Sequence, residues 1–239
     1  MMLMSGEVQP VRASNAARGF IRALACGACL LVLAAGCSDG VEPPTEQQPP
    51  SAPGEVETRH PAAEPLPGEA KCEVVITRKI EHDSAAHVAL CSEIDYATNP
   101  PSGGEHWAKW ASYKAYTVPV ARPLYVHNQE HGGVVLSYRC AGECPEVVAM
   151  LQQVMDEFPD DAICGAVPQV PKRLLLAPDP EIPTPIAASA WGATYTATCL
   201  DKASLASFVS EAYGKGPEVT CANGIDVSQT NGAPAECQE

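Results

Sequence analysis

The chain has 239 residues and carries 29 acidic against 15 basic side chains, a net charge of −14. A charge of that size and sign repels phosphate backbones and anionic headgroups, which argues against a nucleic-acid partner and against purely electrostatic docking on a bilayer. Aromatic residues make up only 5%, so a core must rely on Val, Leu, Ile and Ala, and the length suits one domain behind a leader.

Arg12, Arg18 and Arg22 precede an apolar run of 13 residues, 23–35. That length fits the central region of a signal peptide and is too short to span a bilayer. Leu33-Ala34-Ala35-Gly36-Cys37 resembles a lipobox: small residues admit the peptidase, and the Cys37 thiol accepts diacylglycerol. Residues 1–36 are therefore expected to be a lipoprotein signal peptide, with Cys37 the lipidated first residue of an exported protein. Several acyl chains on one residue anchor stably, at about 0.8 kcal/mol per buried methylene. Ser38 after the cysteine favours the outer membrane, with the domain on its periplasmic face. Eight prolines lie between residues 38 and 69, so residues 37–70 read as a disordered, Pro-rich tether. Residues 71–239 remain for the folded domain.

Within that domain, 72–77 and 87–91 have strand composition. Residues 96–106 are dense in turn formers. Trp107, Trp110, Tyr113 and Tyr116 follow at helical spacing and read as packing residues. The segments 124–127 and 134–138 read as two strands of a hairpin turning at Gly132-Gly133. Residues 145–158 predict an amphipathic helix begun by Pro145, with Val147, Met150, Leu151, Val154, Met155 and Phe158 on its apolar stripe. Residues 173–177 predict a buried strand, and 185–198 another containing Trp191-Gly192. Asp201 or Ser204 caps a last helix with Leu205, Phe208, Val209 and Tyr213 inward, ended by Gly214. These elements predict an α+β domain of two layers, a mostly antiparallel sheet with two packed helices.

Eight cysteines fall in the domain: Cys72, Cys91, Cys140, Cys144, Cys164, Cys199, Cys221 and Cys237. In an oxidising compartment they predict up to four disulfides. Spacing does not fix the connectivity; pairing of neighbours gives 72–91, 140–144, 164–199 and 221–237. The spacing of Cys140 and Cys144 also suits zinc, but no second such pair accompanies it.

Asn99-Pro100-Pro101-Ser102-Gly103 with His106, then His127-Asn128-Gln129-Glu130-His131-Gly132-Gly133, then Ala190-Trp191-Gly192, then Phe208 with Tyr213-Gly214-Lys215-Gly216-Pro217-Glu218, resemble the DUF3105 family over roughly residues 72–220. The resemblance implies a bacterial domain, often behind a signal or membrane anchor, and implies no activity. Glu105 stands where that pattern more often has proline, and Gln129 where it more often has leucine.

The chemistry concentrates in His127, Glu130 and His131, with His106 brought near by a glycine-rich loop. Neutral imidazoles suit transition metals, copper or zinc among them. Three protein ligands with an open position would suit catalysis or transport, and four a structural site. The string also matches the HxxEH of inverzincin peptidases, which needs a helix to bring i and i+4 together and uses the glutamate as base. The strand-like residues before it and the two glycines after it predict a hairpin instead. On the bland reading Glu130 bonds turn amides, His127 donates to a carbonyl, and Asn128 occupies a turn position. His60, His82 and His87 are isolated and are assigned no role. Three readings stay open. One is a lipid-anchored domain holding a metal through His106, His127, Glu130 and His131. Another is a structural or interaction lipoprotein without metal, its protein partner unspecified. The third is a metal-dependent hydrolase with Glu130 as catalytic base.

Overall fold

In the middle of the domain, Val134, Leu136, Leu174 and Leu176 alternate with Val135, Leu175 and Ala177. Both sets are buried, the first in one core cluster and the second in another. A sheet apolar on both faces needs cover on both. The computed structural model describes residues 54–238. In chain order the elements are β1 (Glu55–Arg59), β2 (Val74–Arg78), β3 (His87–Val88), β4 (His106–Trp107), α1 (Arg122–Glu130), β5 (Val134–Tyr138), α2 (Pro145–Glu157), β6 (Leu174–Pro178), β7 (Ile186–Ala190), β8 (Ala193–Ala197) and α3 (Lys202–Ala212), with a 3-10 turn at Ala235–Cys237.

Six strands form one sheet in the order β1-β2-β8-β7-β5-β6. All its pairings are antiparallel except β5 with β6, which run parallel and are joined through α2. The fold is α+β. Helices α2 and α3 cover one face, burying Val147, Leu151, Val154, Leu205, Phe208 and Val209. They follow the predicted stripes, and the Asp201 side chain caps α3 by accepting from the Ser204 backbone N–H at 3.1 Å. The other face packs against α1 and the loops around Trp107, Ala111 and Tyr116. This adds a third helix and a third layer to the two expected.

The predicted single strand over 185–198 is two strands. Trp191-Gly192 turns the chain back, with Gly192 at φ +72°, so that Ala190 pairs with Ala193. Trp107 to Tyr116 form no helix; His106 and Trp107 make a short parallel pairing with His87 and Val88. Residues 55–59, placed inside the expected tether, form β1 on the sheet edge. Leu66 is buried, and its N–H donates to the Thr198 carbonyl. Proline density hid the alternation of Glu55-Val56-Glu57-Thr58-Arg59, a charged pattern suited to an edge strand. The signal peptide, Cys37 and the tether up to residue 53 lie outside the described residues. Among the described residues no helix is long and apolar enough to cross a membrane.

All eight cysteines are paired, as 72–199, 91–237, 140–144 and 164–221. Only 140–144 matches the neighbour scheme. The sheet explains the first correction: β2 lies beside antiparallel β8, so Cys72 ahead of β2 meets Cys199 after β8. The pairing removes these eight thiols as metal ligands. Loop length then ranks the bridges. In the chain-entropy model the 127-residue separation of Cys72 and Cys199 is worth about 5 kcal/mol, and the 4-residue separation of Cys140 and Cys144 about 2. We expect Cys140→Ser/Cys144→Ser to shift the urea midpoint by less than half as much as Cys72→Ser/Cys199→Ser.

Candidate metal centre

The HNQEH block sits on α1 and its C-terminus, not on a hairpin. Pro123 lies in the first turn, where its missing N–H costs nothing. Gly132, at φ +80°, ends the helix. Its N–H bonds the Gln129 carbonyl at 2.9 Å, and the Gly133 N–H bonds the Asn128 carbonyl at 2.8 Å, which is a Schellman motif. Every residue from Leu124 to Glu130 is buried, so no polar face betrays the helical period. Asn128 does not serve a turn. Its side chain bonds both the N–H and the carbonyl of Ala111, at 3.0 and 2.8 Å, and fixes the Trp110–Ala111 segment beside the helix. Gln129 donates to the Pro101 carbonyl and to Ser189 Oγ, tying α1 to the turn-rich loop and to β7.

Four side chains converge on one point. The parallel pairing of β3 with β4 sets His87 directly beside His106. The rings of His87, His106 and His127 form a triangle with centroid separations of 4.7, 4.8 and 4.9 Å. Glu130 closes it. Its Oε2 lies 2.9 Å from His106 Nε2, 3.6 Å from His87 Nε2 and 3.8 Å from His127 Nε2. A tetrahedral ion with ligand bonds near 2.0 Å needs ligand atoms about 3.3 Å apart; the three distances to Glu130 bracket that value, and all four ligand atoms lie within 4.8 Å of one another.

The far nitrogens fix the tautomers. His106 Nδ1 lies 2.8 Å from the Gly104 carbonyl and His127 Nδ1 2.7 Å from the Trp107 carbonyl. A carbonyl only accepts, so both Nδ1 atoms carry hydrogen and both Nε2 atoms turn inward, which is how ligating histidines are held. Desolvation pushes His127 down to about 4, with the neighbouring imidazoles adding to the shift. His131 is likewise held at about 4 by desolvation first and then by His106, His87 and Arg173. Both rings are neutral, and so ligand-competent, at physiological pH.

His131 follows His127 by one helical turn, and their Nε2 atoms lie 3.1 Å apart. It falls outside the four-residue cluster. Its ligand atom groups instead with Glu130 and Glu218. Of the expected His106, His127, Glu130 and His131, the first three are thus brought together with His87, while His131 lies beside them and groups with Glu218. His60 lies exposed near Glu73, and His82 bonds the Ser102 carbonyl at 2.8 Å and supports the loop. His87 escaped notice because a pairing of two residues leaves no periodic signal.

Behind the helix end lies a buried ion pair. Arg173 Nε donates to Asp161 Oδ2 at 2.7 Å, and both side chains are 2% exposed. Arg173 Nη1 also bonds the His131 carbonyl, so the pair buttresses the end of α1. The Tyr213 hydroxyl donates to the same Asp161 oxygen and accepts from the Arg173 N–H.

No curated protein and no solved structure matches this chain. A family model described as a protein of unknown function, DUF3105, matches residues 87–223. That span covers more than half the chain, takes in every residue of the His/Glu cluster, and establishes that this chain belongs to the DUF3105 family.

Proposed function

We propose that this is a lipid-anchored domain of the cell envelope that binds one transition-metal ion through His87, His106, His127 and Glu130. One observation carries the reading. Two buried imidazoles are held at Nδ1 by backbone carbonyls, so that their Nε2 atoms and that of a third imidazole gather on one carboxylate oxygen, at 2.9, 3.8 and 3.6 Å. Three imidazoles sharing one buried carboxylate exceed what a structural ion pair requires. The donors are nitrogen and oxygen without sulfur, which favours zinc(II) or copper(II) over copper(I). His87 is 49% exposed while its three companions are buried, so the site opens to solvent on one side. The anchor at Cys37 is part of the proposal and rests on the leader and lipobox pattern.

The helix restores the HxxEH geometry that the hairpin expectation had removed. Even so, binding is favoured over hydrolysis. Glu130 sits inside the ligand triangle, where a base would have to stand beside it. A surface hollow of about 620 Å³ is lined by Tyr96, Trp107, Arg122 and Glu181, and none of the four ligands is among its lining residues.

The test is elemental analysis of intact protein purified from the envelope, wild type against His127→Ala and His106→Ala. We expect at least one zinc or copper ion per wild-type chain and one fewer in each variant. Equal, near-zero metal in all three, in folded protein, would leave the structural reading in its place.

A further inference from the structure

The segment after α3 forms a strap over the end of α1. Tyr213-Gly214-Lys215-Gly216-Pro217-Glu218 lies across the C-terminus of α1. The Gly214 N–H donates to the Gly132 carbonyl at 2.9 Å, and the Glu218 N–H to the Glu130 carbonyl at 3.0 Å. A Cβ at Gly216 would lie 2.2 Å from the Glu130 carbonyl oxygen and 2.4 Å from that of Gln129, so no side chain fits there. Such close backbone apposition fixes where Glu218 stands. Its Oε2 lies 3.6 Å from His131 Nε2, and the ligand atoms of Glu130, His131 and Glu218 all lie within 4.8 Å of one another.

His131 gives an independent sign. It is 3% exposed, yet its Nδ1 has no hydrogen-bond partner. Its other nitrogen faces His127 Nε2 and the Glu218 carboxylate. Backbone carbonyls pin the rings of His106 and His127, and no such bond pins His131. The ring is thus held by no bond at Nδ1 and presents its Nε2 to the space between Glu130 and Glu218.

We propose that Glu130, His131 and Glu218 hold a second divalent transition-metal ion next to the first, with the Glu130 carboxylate shared between the two. The inference rests on the first site and extends it. His127 and His131 supply one imidazole to each ion from successive turns of α1, Glu130 joins the ions, and the strap delivers Glu218. Paired ions of this kind sit about 3.5–4 Å apart. Glu218 is 57% exposed, so water completes the second coordination sphere and the second ion exchanges more readily. One imidazole and two carboxylates make this position harder than the first, suiting zinc or manganese better than copper.

The test uses the intact protein purified in detergent, stripped by chelator, then dialysed against Zn²⁺ and analysed for metal. We expect two ions per chain in the wild type, one in Glu218→Gln and one in His131→Asn. Loaded with Cu²⁺, the wild type should show a spin count well below its copper content because adjacent ions couple, and Glu218→Gln a spin count equal to it. One ion in the wild type, or two retained in Glu218→Gln, would overturn the second position and leave the first site standing. No ion in the wild type would remove both. Glu218 is exposed, so its amide variant tests binding without threatening the fold.

Discussion

Replacing Asp161 with asparagine should destabilise the domain by about 3–5 kcal/mol, because it leaves the Arg173 guanidinium buried without a counter-charge. Burial alone would raise the Asp161 pKa. The N–H of Cys164, the Tyr213 hydroxyl, the Arg173 guanidinium and the N–H of Ile163 outweigh it and hold the group at about 2, against an ordinary 3.8. A carboxylate depressed in the folded state contributes stability that is fully present above its unfolded value and is lost as pH falls through the folded one. The wild type should therefore lose stability between about pH 4 and pH 2, and Asp161→Asn should lack that part of the acid transition. Urea midpoints measured across this range decide the point. A variant within 1 kcal/mol of wild type at pH 7 would show that the ion pair does not support the domain. The variant also reaches the candidate metal centre, because Arg173 holds the carbonyl of His131.

Metal removal should act on a comparable scale. An ion that binds only the folded state, supplied at a thousandfold excess over its dissociation constant, stabilises by about 4 kcal/mol. For a domain of this size that corresponds to a melting temperature higher by about 8–16 °C. Chelator-treated protein should melt lower by that amount and recover on adding Zn²⁺. His106→Ala should show a much smaller metal-dependent shift. Removing a ligand should cost more affinity than the roughly 10–100-fold that follows loss of a supporting hydrogen bond. Identical melting with and without Zn²⁺ would count against the site.

The sequence was most legible where a pattern had one cause. Helices α2 and α3 show their stripes because one face meets the sheet and the other meets water. It was least legible at α1, whose burial on all sides erases the stripe and whose Leu124-Tyr125-Val126 reads as strand. Pro123 and Gly132 bracket that helix, and their placement was the available signal. Of the ligands, His106, His127 and Glu130 stood out because they lie in dense motifs. His87 and Glu218 did not, since each reaches the cluster through backbone bonds between distant segments, β3 to β4 and the strap to α1. Disulfide partners were hidden for the same reason: strand order, not spacing along the chain, brings Cys72 to Cys199.

The proposed first site spans His87 to Glu130, whereas the proposed second closes only with Glu218, on a strap that follows the final long helix. A polypeptide threaded amino-terminus first through a translocon, as the proposed leader requires, would present an incomplete second position until nearly all of it has emerged. On that reading the second ion would be drawn from whatever the destination offers, beyond reach of the cytoplasmic pool.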